Sequence, residues 1–305
     1  MKILVTGGAG FIGSHLVERL AKNNKVIVID NLSRGRIENI KKILPKITFF
    51  KADISKINTI KKYFKGVDRV FHLAALADIV PSIKNPQEYY DTNITGTLNV
   101  LKCSEHFKIK KFLYAASSSC YGIPKKYPTD EKQPLDPQYP YALTKMMGEQ
   151  LVLHWSKVYK LKSISLRLFN VYGTRSRSSG TYGAMFGVFL AQKLSNAPLT
   201  IVGNGKQTRD FTYVSDVVDA FICASKSKIY NQVFNVGSGK NISVNEIASL
   251  LSNKKVHIPK RPGEPNATLA NINKIKKILN WRPKIDIKKG VNLILKDIGY
   301  WSKAP

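Results

Sequence analysis

The first thirty residues, MKILVTGGAGFIGSHLVERLAKNNKVIVID, constrain the chain more than any other segment. Ile3, Leu4 and Val5 form a short apolar run of the kind a buried parallel strand carries. Gly7, Gly10 and Gly13 follow at three-residue spacing. Phe11, Leu16, Val17 and Leu20 then recur on one side of a helix. A second apolar run, Val26 to Ile29, ends at Asp30. Glycines at a strand-to-helix turn let the backbone approach a pyrophosphate, and the helix N-terminus supplies N–H donors and positive dipole to that anion. Asp30 falls where a carboxylate accepts hydrogen bonds from an adenosine ribose. A glycine triplet alone says little. Here it follows a strand, opens a helix and has its acid after the second strand, which is the pattern of a dinucleotide-binding βαβ unit.

Composition narrows the class. The 305 residues suffice for a substantial core, and 43% hydrophobic with 23% charged residues is an ordinary globular balance. No apolar run approaches the ~20 residues of a membrane span. The first strand begins at Ile3, so no signal peptide is expected, and a cytoplasmic location follows. Cys103, Cys120 and Cys223 make no metal-ligand spacing, so reduced thiols and no metal are expected. The net charge of +29 raises nucleic-acid binding. The excess is nearly all lysine, however, spread in pairs such as Lys41-Lys42, Lys61-Lys62, Lys110-Lys111 and Lys276-Lys277. No arginine-rich tail or stacking-aromatic motif accompanies it. No specific nucleic-acid partner is expected; a mild pull on anionic small substrates fits better.

The first half alternates strand and helix. Helices are expected near 37–44, 56–64, 86–106 and 141–159, and strands at Ile47–Lys51, Val67–Leu73, Lys111–Ala116 and Ser163–Leu168. This rhythm predicts an α/β fold with a doubly wound parallel (Rossmann) sheet. Ligands on such sheets bind beyond the strands' carboxyl ends, where Gly7, Asp30, Asp53, Ala74, Ser117 and Asn170 fall. The periodicity changes after 170, with one helix near 184–195 and short elements from about 240. Residues 1–168 are therefore assigned to the dinucleotide domain, with a return to it near 208–236. Residues 169–305 mainly form a smaller C-terminal α/β lobe.

Pro140-Tyr141-Ala142-Leu143-Thr144-Lys145 begins the helix near 141. Tyr141 and Lys145, four apart, share a helix face. An ammonium beside a phenol favours the phenolate and lowers its pKa from ~10, so the tyrosine can move a proton near neutral pH. Ser117 ends the strand at Ala116 and can hydrogen-bond the same substrate oxygen.

With these residues in hand, the chain resembles the extended short-chain dehydrogenase/reductase family in its nucleotide-sugar 4-epimerase branch, over essentially its whole length. The landmarks are TGGAGFIG (6–13), Asp30-Asn31-Leu32, Asp53-Ile54, His72-Leu73-Ala74-Ala75, Tyr90-Asp91-Thr92-Asn93, Ser117, Tyr141 and Lys145. Arg167-Leu168-Phe169-Asn170-Val171-Tyr172-Gly173, Arg209-Asp210-Phe211 and Arg261-Pro262-Gly263-Glu264 follow in order. The resemblance implies NAD as cofactor, with Gly7, Gly10, Phe11, Ile12, Gly13, Asp30, Asn31, Asp53, Ile54, Ala74, Ala75, Asn93, Tyr141 and Lys145 around it. It implies Ser117, Tyr141 and Lys145 as catalytic residues. It implies substrate contacts from Ser118, Ser119 and Asn170, diphosphate contacts from Arg209 and Arg261, and a ribose contact from Glu264. Guanidinium groups suit bidentate phosphate contact. Thr268, seven residues beyond Arg261, matches the wall of the sugar C2 pocket, where a small residue leaves room for an acetamido group.

The implied activity is an isomerase reaction: 4-epimerisation of a UDP-hexose, plain or N-acetylated, through a transient 4-keto sugar, by a homodimer. Family dehydratases carry an Asp-Glu pair where this chain has Ser118-Ser119, and decarboxylases carry a glutamate at the second position; both activities are disfavoured here. The alternatives are another nucleotide-sugar enzyme of the same fold and a non-catalytic NAD-binding sensor. Arg34, close after Asp30, complicates the choice of NAD over NADP, because a nearby arginine can accommodate a 2′-phosphate.

Overall fold

The computed structural model describes residues 1–176, 185–259 and 265–297. Strands β1 (Lys2–Thr6), β2 (Lys25–Asp30), β3 (Ile47–Lys51), β4 (Arg69–His72), β5 (Lys111–Ser117) and β6 (Ser163–Leu168) form one parallel sheet with Gln232–Val236. The spatial order is Gln232–Val236, β6, β5, β4, β1, β2, β3. The chain winds outward from β1 in one direction and from β4 in the other, so a crevice opens at their carboxyl ends. This is the doubly wound α/β sheet that the sequence predicts.

Period-two alternation sorts the core into two layers. Ile3, Val5, Phe71, Leu113 and Phe234 pack with Leu16, Val17 and Leu20 of helix Phe11–Leu20 and with Val217 and Phe221 of helix Val214–Lys226. Leu4, Ile27, Val70, Phe112 and Tyr114 point the other way, onto Val100 and Leu101 of helix Gly96–His106 and Val152 of helix Pro140–Val158. Each such fully buried side chain contributes roughly 2 kcal/mol. A third core, around Phe186, Phe189, Leu199, Ile201, Phe211, Ile247 and Ile294, lies under the later part of the chain.

Three local expectations change. The helix near 37–44 is instead two 3-10 stretches, Ile37–Asn39 and Lys41–Lys46, the second containing Pro45, which has no N–H to donate. The helix near 56–64 is one α turn, Ile57–Ile60, continuing as a 3-10 turn, Lys61–Phe64. The helix over 86–106 is interrupted by a π turn, Tyr90–Thr95, between Pro86–Tyr89 and Gly96–His106. Asn93 sits in that wider turn and is buried. Its side chain accepts from Leu76 N (2.8 Å) and donates to Leu76 O (3.0 Å) and Thr144 Oγ1 (3.0 Å).

Candidate active site

The turn after β1 is built for close approach. Gly7 has φ +70°, and a Cβ on it would lie 2.6 Å from Ala74 N. A Cβ on Gly13 would strike Gly7 O, so only glycine lets helix Phe11–Leu20 start this near the strand. A cleft of about 690 Å³ opens here. Gly7, Gly10, Phe11, Ile12, Gly13, Asp30, Asn31, Ile54, Ala74 and Ala75 line it.

Asp30 stands at the end of β2 with its carboxylate held from two sides. Oδ2 accepts from Ala9 N and Oδ1 from Leu32 N, both at 2.9 Å. Burial raises its pKa, and those two hydrogen bonds oppose the rise. Asp53 is not a lining residue, although its neighbours Ala52 and Ile54 are. Its Oδ1 accepts from the Ser55 N–H and hydroxyl at 2.8 Å, and Oδ2 accepts from Asn31 Nδ2 at 3.2 Å. Burial pushes its carboxyl upward, but these bonds outweigh burial and hold it below the usual range. Asn93 likewise acts behind the cleft, tying the loop after β4 to the helix of Tyr141. The residues present fit a dinucleotide: a bare glycine turn at a helix N-terminus for the pyrophosphate, an acid for a ribose diol, and apolar lining that includes Ile29 and Ile54 for a flat base.

Tyr141, Lys145 and Glu149 stack on one face of helix Pro140–Val158. Pro140 at the first turn presets the helical φ. Gly148 lets the helix press against β5, since a Cβ there would strike Tyr114 Oη. Lys145 Nζ lies 4.4 Å from the Tyr114 ring centroid. Burial lowers its pKa to about 8, against the upward pull of Cys120 and Glu149. Tyr141 keeps a partly exposed surface, but most of its side chain is packed away from solvent. Burial therefore raises its pKa, while the Ser117 and Ser119 side chains pull it down. This corrects the expectation that Lys145 leaves the phenol lowered: in the protein alone, desolvation is the larger effect. Ser117 ends β5 and caps the 3-10 turn Ser118–Tyr121. Its hydroxyl shares a 2.7 Å hydrogen bond with Ser119 Oγ and accepts from Ser119 N at 3.2 Å. Ser118 opens that turn, half-buried.

On the far side, Asn170 begins strand Asn170–Tyr172, which pairs with Phe211–Tyr213. Its Nδ2 donates to Thr268 Oγ1 at 3.0 Å and to Asp210 O at 3.3 Å. Arg209, on strand Thr208–Arg209, donates through Nη1 to Thr208 O. Arg261 and Glu264 lie outside the described residues. Of the proposed catalytic and substrate residues among the described ones, none lines the 690 Å³ cleft itself.

Several groups escaped the sequence reading. Asp210, fully buried, accepts from Ser238 N, Ser238 Oγ, Gly239 N and Ala270 N, so one carboxylate joins the segments that carry Arg209 and Thr268. Glu149 and Arg167 form a buried ion pair at 2.6 Å, and Ser165 Oγ adds a bond to Glu149. Asp78, Arg175 and Ser176 line the cleft. The i+8 spacing of Glu149 from Tyr141 was the available signal; Arg167 and Asp210 stand within landmark motifs that gave them no role, and nothing local marks Asp78, Arg175 or Ser176. Among the described residues, no cluster of His, Cys, Asp or Glu could hold a metal ion, and no helix is long and apolar enough to cross a membrane.

Comparison with known proteins agrees with this architecture. The profile of the NAD-dependent epimerase/dehydratase family matches residues 3–237. The chain is 35% identical to UDP-glucose 4-epimerase of Lactobacillus helveticus, covering 100% of this chain and 98% of that one. It is similar to the structure of UDP-N-acetylglucosamine 4-epimerase from Methanobrevibacter ruminantium, solved with UDP-N-acetylmuramic acid, at TM-score 0.91 and 34% identity over 97% of this chain and 98% of that one. It is also similar to UDP-glucuronic acid 4-epimerase from Bacillus cereus, solved with UDP-glucuronic acid and NAD, at TM-score 0.91 and 35% identity over 99% and 100%. By its glycine turn, its doubly wound sheet and this full-length likeness, the chain belongs to the NAD-dependent epimerase/dehydratase family.

Proposed function

We propose that the protein is an NAD-dependent UDP-hexose 4-epimerase that accepts N-acetylated as well as plain sugars. The observation that carries the reading is Tyr141 and Lys145 one helical turn apart beside Ser117, with hydroxyls rather than carboxyl groups at positions 118 and 119. Tyr141, as the phenolate that the Ser117 and Ser119 hydroxyls favour against its burial, takes the proton from the sugar O4 and later returns it. Ser117 donates a hydrogen bond to the same oxygen, and the Lys145 ammonium favours the phenolate. NAD supplies two-electron acceptance at C4 and its return, so no net redox change results. Arg209 and Arg261 anchor the diphosphate while Ser118, Ser119, Asn170 and Thr268 leave the 4-keto sugar free to turn over.

Residues 1–168, with the return at 208–236, serve as the NAD-binding part, and 169–305 mainly close over the sugar nucleotide. The resemblance implies a homodimer through the helices near 86–106 and 141–159; exposed Met147, Val158 and Tyr159 support the second of these, and exposed Ile79 and Ile83 on helix Ile79–Lys84 add apolar surface outside the first. A cytoplasmic site of action fits a nucleotide-sugar substrate.

The test is product analysis after incubation with UDP-glucose, UDP-N-acetylglucosamine and UDP-glucuronate. The reading expects UDP-galactose and UDP-N-acetylgalactosamine. Net NADH, or loss of water or carbon dioxide, sinks it.

A further inference from the structure

We infer that Asp78 is a cofactor-specificity residue: it occupies Arg34 and so withholds that guanidinium from the 2′-phosphate of NADP. The inference rests on the reading of the cleft as the NAD site.

Two loops meet across the cleft. Arg34 lies on the loop after β2, four residues beyond Asp30; Asp78 lies on the loop after β4. Both line the cleft. Arg34 Nε stands 3.8 Å from Asp78 Oδ2, with the side chains 39% and 27% exposed. The pair therefore links the loops after β2 and β4 across the cleft that Asp30 also lines.

An arginine close after the ribose-binding acid is the group able to accept a 2′-phosphate, because its planar fork of donors matches phosphate oxygens. Here the Nε edge of that guanidinium faces a carboxylate 3.8 Å away. A 2′-phosphate entering would meet Asp30 below and Asp78 beside Arg34. It would have to displace one carboxylate to reach the guanidinium while facing the other. The 2′-hydroxyl of NAD carries no charge and donates to Asp30, so the same arrangement leaves it unopposed. Asp30 supplies the repulsion at the ribose; Asp78 removes the compensation that Arg34 would otherwise offer. Arg36 also borders the cleft, so the experiment must tell the two arginines apart.

Wild type, Asp78→Ala and Asp78→Ala/Arg34→Ala protein would each be equilibrated with equimolar NAD and NADP and desalted. The retained nucleotides would then be released by denaturation and quantified. Wild type should retain NAD with little NADP. Asp78→Ala should raise the NADP:NAD ratio up to roughly fivefold, the worth of one exposed ion pair. The double variant should return to the wild-type ratio, because Arg34 is what the first substitution frees. An unchanged ratio in Asp78→Ala overturns the inference, as does a gain that persists in the double variant and so belongs to another group such as Arg36. Wild-type protein that retains neither nucleotide, or prefers NADP, removes the NAD reading of the cleft and this inference with it.

Discussion

Asn170 donates to the Thr268 hydroxyl at 3.0 Å, bringing together two residues that are 98 positions apart in the chain. The same hydroxyl accepts from Asp210 N at 3.1 Å. Both lone pairs of Thr268 are thus engaged, and only its proton is left to meet a sugar acetamido group. On the proposed reading Thr268 is the wall of the sugar C2 pocket, small and held by these two hydrogen bonds. Thr268→Tyr should close the pocket and depress activity on UDP-N-acetylglucosamine at least tenfold more than on UDP-glucose, one methylene in a pocket already deciding 10–200-fold. Steady-state rates on the two sugars check this; equal losses would end the gatekeeper role of Thr268.

Tyr141→Phe removes a proton carrier and almost no volume. Turnover should fall roughly 10²–10⁴-fold, while NAD retention and UDP-sugar affinity stay near the wild-type values. Rate measurement alongside calorimetric UDP-sugar binding separates the two effects. Near wild-type turnover would remove Tyr141 from the chemistry.

Arg167 and Glu149 are 6% and 0% exposed, so neither can lose its partner without leaving a buried charge. Arg167→Met should cost about 3–5 kcal/mol in urea unfolding. Glu149→Gln in the same chain should recover much of that loss, because no buried charge then remains unpaired. Additive losses in the double variant would contradict the pairing as the source of the cost.

His72 lies between Thr6 Oγ1 (2.6 Å from Nδ1) and Thr97 Oγ1 (2.9 Å from Nε2), fully buried. Burial, aided by the Lys145 charge, pushes its pKa down to about 3. An unfolded chain titrates this group near ~6.5. Between those values the unfolded state binds the extra proton, so stability is fully present above pH ~6.5 and falls as pH drops, by up to ~1.4 kcal/mol per unit. His72→Gln keeps a donor and an acceptor for the two threonines but does not titrate. Its urea midpoint should therefore fall less steeply than the wild type's between pH 6.5 and 4.5. Parallel curves would show that His72 takes up no proton on unfolding.

What sequence alone determined is whatever depends on neighbours a few residues apart. The glycine turn with Asp30, the parallel strands and the Tyr141–Lys145 helix face are of this kind. Backbone clearance and periods of two and 3.6 are local properties, so each leaves a local mark. Where a local rule failed, a contact from elsewhere had intervened. Asn93, in a π turn, bonds Leu76 and Thr144, and the Tyr141 phenol is raised rather than lowered because its burial outweighs the Ser117 and Ser119 hydroxyls. Tertiary structure alone decided the pairings of residues far apart in the chain: Asp78 with Arg34, Glu149 with Arg167, and Asp210 with Ser238 and Ala270. The energy of a charge depends on its solvation and its partner across space, and neither has a periodicity along the chain.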